Sequence, residues 1–222
     1  MTEGSSTVGV RVEPRWPPAI ALALLAVLLY LLPGRVVLLP VSLSYVGLVA
    51  ILAIMAAVAL TRGNTRCLRI ERNLILILGA VYVINTAAQA ADMVGVVTMP
   101  AEPGNAYALL SSAVGIWVEN VVIFSLVFWQ IDGGGPYRRA QPVPRSPDWG
   151  FPMPPTPEGE PSTWTPQYVD YLFLAYNTAT AFSPTDAVPY THRAKMLMIV
   201  ESAISMVTLV VVLSRAIGIL PG

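Results

Sequence analysis

The chain has 222 residues, of which 55% are hydrophobic and only 12% charged, and its mean hydropathy is +0.64. A soluble domain carries about twice that share of charge, so the composition places the chain among integral membrane proteins, with the lipid bilayer as solvent. Thirteen basic and thirteen acidic residues cancel, which removes any global attraction to nucleic acid, and the lone Cys67 excludes an internal disulfide or a multi-cysteine metal site.

Residues 1–18 form a polar N-terminal tail with Arg11 and Arg15. Ala19 to Leu32 is apolar and as short as a signal-peptide core, but no Ala-x-Ala-like cleavage site follows it. Pro33-Gly34-Arg35 turns the chain instead, so this run reads as the first arm of a helical hairpin. Val36 to Leu60, Leu74 to Met99 and Ala106 to Ile131 each exceed the roughly 18 apolar residues that mark a membrane helix. Together with the first run they predict a four-helix transmembrane region over 19–131, with Asn105 capping the fourth helix.

Character changes at Asp132. Gly133-Gly134-Gly135-Pro136 is followed by prolines at 142, 144, 147, 152, 154, 155, 157 and 161, and no helix survives that density. Residues 132–165 therefore read as an extended connector outside the bilayer, with Trp149, Phe151 and Trp164 free to lie at the interface or pack on the helices. The glycine triplet reads as a helix terminator. No strand precedes it and no Lys-Ser/Thr pair follows, as a phosphate cradle would need.

Thr165-Pro166 restarts a helix, with a capping hydroxyl followed by proline at the first helical position. Pro184 stops it after Phe182, at a length of about 25 Å, short of a comfortable crossing. The polar chain from Pro184 to Tyr190 is tolerated at membrane depth only where protein or a water-filled cavity shields it. Residues 166–182 thus read as a short re-entrant segment, the competing reading being a plain fifth membrane helix. Leu197 to Leu220 is the last span, capped by Thr191. The expected fold is an all-α polytopic transmembrane bundle of about five membrane helices plus the re-entrant segment, the latter and the last helix making a module over 166–222.

Positive residues favour the cytoplasmic side. With the N-terminus cytoplasmic and five crossings, Arg11, Arg15, Arg62, Arg66, Arg69, Arg72, Arg138, Arg139, Arg145, Arg193 and Lys195 fall inside, and Arg35 and Arg215 outside. The same count puts Ser183 to Pro189 on the cytoplasmic face.

Ionisable groups inside apolar helices cost several kcal/mol unless they meet a cavity or a partner, which singles out Asp92, Glu119 and Glu201. Asn85, Gln89 and Asp92 recur at i, i+4 and i+7 on one face, and Glu119-Asn120 stands near mid-helix. Such a stripe serves a water-filled cation path, or it pairs across helices and fixes their packing. His192 has no partner at ligand spacing, and Ser202 and Ser205 have no His base nearby, so neither a metal site, a cofactor nor an enzymatic constellation is expected.

Asp170-Tyr171, Thr178 and Thr180, Asp186-x-x-Pro189, Arg193 and the apolar helix after it form a pattern that resembles the pore-loop potassium-channel module. The filter glycines of that module are replaced here by Thr178-Ala-Thr-Ala-Phe-Ser-Pro-Thr-Asp186. The resemblance implies an oligomeric, cation-permeable pore of four chains around one axis. Thr178, Thr180, Ser183, Thr185 and Asp186 would line it, Glu201 would stand near its mouth, and monovalent cations would pass with poor potassium selectivity. Potassium channels dip this loop from outside, whereas the arginine count puts it inside, an orientation similar to that of ionotropic glutamate receptors. Trp129-x-x-Asp132-Gly133-Gly134-Gly135-Pro136, Ala181-Phe-Ser-Pro-Thr-Asp186 and Arg193-Ala-Lys195 also resemble an uncharacterised family of bacterial polytopic inner-membrane proteins, which implies the bacterial plasma membrane. A non-conducting structural or accessory protein is the alternative. A small-solute transporter ranks third, since the two halves show no internal repeat.

Overall fold

The structure, a computed structural model, describes residues 13–32, 41–61, 64–97, 105–139, 141, 145–153, 164–180 and 187–219. Its helices are α1 (Trp16–Leu31), α2 (Val41–Leu60), α3 (Thr65–Val97), α4 (Asn105–Ile131), α5 (Pro136–Arg139), α6 (Tyr168–Thr180) and α7 (His192–Ile219). Two short strands, β1 (Trp149–Gly150) and β2 (Val188–Pro189), pair antiparallel.

Local chemistry sets most boundaries. Pro17 and Pro18 open α1, where the missing N–H groups cost nothing. The Asn64 side chain accepts the Arg66 N–H at 2.9 Å and caps α3, which begins nine residues ahead of the expected span at Leu74. Arg66, Arg69 and Arg72, which lie outside the expected span, consequently ride on the first turns of a helix. Hydropathy marks where apolar residues begin, whereas Arg and Glu extend a helix as readily as Leu does. The cap of α6 also differs from expectation: Asp170 reaches back to the Gln167 N–H at 2.7 Å, so the start lies at Gln167 rather than at Thr165. Thr191 caps α7 as expected, its hydroxyl accepting the Ala194 N–H at 3.3 Å.

The chain is mostly helical, and α4 is its axis. It touches α1, α3, α6 and α7, and every residue from Glu119 to Gln130 is buried. Phe124, Phe128, Trp129, Trp149 and Tyr171 are fully enclosed around its C-terminal half. Close approach on the other side depends on small residues: a Cβ on Gly79 would stand 2.8 Å from Cγ2 of Val127, and one on Gly47 2.7 Å from the Tyr82 hydroxyl. Leu24, Val49, Ile77, Ile84, Met206 and Leu213 point outward from α1, α2, α3 and α7. Three helices are long and apolar enough to cross a membrane, over Thr65–Gly95, Leu110–Arg139 and His192–Ser214, as a membrane-embedded protein requires. The apolar stretches Trp16–Leu31 and Tyr45–Leu60 are shorter. At 33 residues α3 is about 50 Å long against a hydrocarbon core of about 30 Å, so an end of it projects beyond the apolar slab.

The segment after α4 is only partly extended. Asp132–Gly134 forms a 3₁₀ turn, Gly133, Gly134 and Gly135 take φ of +56°, +88° and +92°, and α5 follows. Glycine alone enters that region freely, and the triplet ends α4 by reversing the chain. The described part of the connector then packs inward: Trp149 is buried with its ring 4.9 Å from Phe128, and Phe151 lies 5.1 Å from Tyr171.

Helix α6 runs antiparallel to α4 from this polar end toward the bundle middle. Tyr168 meets Trp129 and Tyr176 meets Trp117, each at 5.9 Å between ring centroids. After its 13 residues, Val188 is paired with Gly150 back at the polar end.

Candidate functional site

Two polar centres are built inside this frame. The first closes the end of the bundle where α1, α3, α4, the glycine turn and α7 meet. Arg15, just ahead of α1, grips Glu71 of α3 with two hydrogen bonds of 2.9 and 3.1 Å, both side chains almost wholly buried. Glu13 accepts from Arg139 at 3.0 Å and from the Trp129 indole at 2.7 Å. The Arg15 guanidinium lies 5.3 Å over the Trp129 ring and that of Arg139 5.2 Å over Tyr171, so each cation is held by an anion and an aromatic face together.

Asp132 and Asp148 interlock beneath these pairs. Asp132 accepts the Asp148 N–H at 2.6 Å and the Tyr171 hydroxyl at 2.5 Å, while Asp148 accepts the Gly133 N–H at 3.3 Å. Asp148 also takes two bonds of 2.6 Å from Arg193 and one of 2.6 Å from the Thr191 hydroxyl. Burial pushes the Asp148 carboxyl up, but the Arg193 guanidinium, with Thr191 and the Gly133 N–H, outweighs it and holds the group below the usual carboxylate range. This centre fastens the connector to both α4 and α7.

The second centre lies deeper, where α4, α6 and α7 come together. Asn120 donates to the Glu201 carbonyl at 3.1 Å and to the Ser205 hydroxyl at 2.9 Å, and Ser202 donates to the Thr178 carbonyl at 3.2 Å. Glu201 itself is completely buried, and neither of its carboxylate oxygens has a hydrogen-bond partner among the described residues. The Asn120 side-chain oxygen is likewise unsatisfied there.

The structure thus gathers Glu201, Asn120 and Thr178 into one region. Thr178 and Thr180 spend their hydroxyls on α6's own carbonyls, those of Leu174 at 2.8 Å and Tyr176 at 2.9 Å. Ser183, Thr185 and Asp186 lie outside the described residues. Asn85, Gln89 and Glu119 are buried, whereas Asp92, on the Asn85 face by spacing, is exposed. At that turn the packed face of α3 runs through Ala90 and Met93, both buried, and Asp92 lies outside it. Sequence reading missed Glu13, Glu71 and Asp148 altogether. The available signal was weak: single acids in a chain poor in charge, separated from their arginines by 126, 56 and 45 positions. No family model, curated protein or solved structure matches the chain.

Proposed function

We propose that the protein is a membrane-embedded, oligomeric cation-permeable pore in which α6 is re-entrant and Glu201 is the cation-binding group. The observation that carries this reading is the Glu201 carboxylate, fully enclosed with both oxygens free of hydrogen bonds among the described residues. A carboxylate at that depth costs several kcal/mol without a counter-charge, and a monovalent cation or a proton supplies one. Asn120 adds an unsatisfied amide oxygen beside it, the second ligand type that replaces a cation's hydration shell. Entry of α6 from the polar end, with β2 paired there again, supports a segment that dips and returns.

Purified protein in liposomes loaded with a cation-sensitive dye tests this. Wild type should pass monovalent cations, and Glu201→Gln should slow the flux at least about tenfold, as the loss of a charged ligand implies. Liposomes that stay tight at high protein density would sink the proposal. A non-conducting accessory protein is the second reading. It is favoured by the intrahelical use of the Thr178 and Thr180 hydroxyls, which makes α6 a strut rather than a filter wall.

A further inference from the structure

A cavity of about 320 Å³ opens at the polar end between the first turns of α3 and the glycine turn after α4. Four arginines line it, Arg15, Arg69, Arg72 and Arg138, against one glutamate, Glu71, which Arg15 already neutralises. Arg69, Arg72 and Arg138 make no ion pair among the described residues. Arg72 is held in place by donating from Nε to the Gln130 carbonyl at 3.3 Å, and the positive charges of Arg145, Arg193 and Arg138 act on it.

Like charges left this close repel and call for a counter-anion. A second, independent feature points the same way. Gln130 lines the cavity, is 1% exposed, and its side-chain Nε2 has no acceptor among the described residues. A buried N–H donor without an acceptor costs about 1–3 kcal/mol, so a rigid wall of the cavity offers a hydrogen bond that an incoming oxyanion can complete. Gly135 keeps that wall open: with φ of +92°, a Cβ there would stand 3.2 Å from the Gln130 side-chain oxygen and 3.5 Å from Cδ of Arg72.

We propose that this cleft is a binding site for a phosphate group, held by Arg69, Arg72 and Arg138 with the Gln130 amide at its base. Guanidinium groups match phosphate oxygens with paired N–H bonds, and a basic pocket at the end of a membrane bundle is suited to the phosphodiester of an anionic lipid headgroup or to free phosphate. No strand-to-helix glycine cradle is involved; the donors are side chains. The inference stands apart from conduction and does not depend on Glu201.

The test uses the full-length protein, delipidated in mild detergent and phosphate-free buffer. Binding is read by native mass spectrometry with phosphatidylglycerol and with phosphatidylcholine, and by calorimetry with inorganic phosphate. Selective retention of phosphatidylglycerol identifies a lipid headgroup as the source, and calorimetric binding of phosphate alone identifies a soluble one. Arg138→Gln, at an exposed position, should weaken whichever ligand binds about tenfold, the effect of one charge-assisted contact. Gln130→Leu removes the buried donor and should weaken it too, with the circular dichroism and elution volume of both variants unchanged. Absence of both ligands overturns the proposal. So does binding that both variants leave intact, which would mark a non-specific surface charge effect.

Discussion

Replacing Asp148 by Asn removes the charge on which the polar end closes. The carboxylate accepts four hydrogen bonds, two from Arg193 and one each from Thr191 and the Gly133 N–H. Asn keeps one acceptor oxygen and turns an N–H₂ group toward donors, so at least one of those partners is left unsatisfied. Breaking a buried ion pair costs about 3–5 kcal/mol. Because the Arg193 side chain is 51% exposed, solvent screens part of that, and about 2–3 kcal/mol remains. For a chain of this size the loss corresponds to a fall in Tm of roughly 4–12 °C. Thermal unfolding in detergent, followed by the fluorescence of the buried tryptophans, measures it, and the Asp148→Asn/Arg193→Gln double variant should cost about 1–2 kcal/mol less than the sum of the singles. The pH dependence has a definite sign. The folded carboxyl is held below its unfolded value of about 3.9, so its stabilisation is fully present above that pH and disappears as pH falls through the lower, folded value. The wild type should therefore outlast Asp148→Asn by a constant margin from about pH 8 to 5 and converge with it in stronger acid. Equal melting temperatures at neutral pH, or a margin that persists unchanged below the folded value, would refute the reasoning.

Gly135→Ala should destabilise by about 1–3 kcal/mol, since φ is +92° and the new Cβ would meet the Gln130 carbonyl at 3.0 Å. Gly95→Ala, in open space within α3, should instead leave Tm unchanged or raise it slightly, as replacing an interior helical glycine does. Any conductance should discriminate poorly between potassium and sodium, because Pro184 fixes φ near −65° where a carbonyl ladder needs alternating left-handed residues; a reversal potential that follows potassium alone contradicts this. In a Cys67→Ser background, an impermeant thiol reagent on intact cells should label a cysteine added after Gly222 and spare one at Thr185. Labelling of Thr185→Cys alone reverses the expected topology.

Helix positions were legible at some chemical boundaries and missed at others, as at Thr165-Pro166, where α6 starts from Gln167 instead. Thr191 before α7 and the proline-free stretch of α4 gave their starts and ends closely, and the positive-φ glycines end α4 as their type implies. The start of α3 was hidden because hydropathy registers solvent preference, while Asn64 and the arginines after it propagate a helix regardless. Glu201 and Asn120 could be singled out, since a charge in an apolar helix is costly wherever it faces. The Asp132–Asp148 interlock could not be, because it depends on a chain reversal that brings residues 16 positions apart into contact, and proline density alone predicts only that no helix forms. Asp92 shows the converse. Periodicity fixes which residues share a face, not which edge of that face a neighbouring helix covers: Met93 is buried beside the exposed Asp92.

The polar end also imposes an order on biogenesis. Glu13 is bound to Arg139, 126 positions later, and the Asp148 that locks the glycine turn waits for Arg193, 45 positions later, so each acid is made before the arginine that satisfies it. At about 5–20 residues per second, those separations correspond to roughly 6–25 s for Glu13 and roughly 2–9 s for Asp148. Until then Asp148 lacks its guanidinium and the connector has no anchor on the last helix. A chain stopped short of His192 therefore carries the Asp148 carboxylate without the guanidinium that compensates its burial.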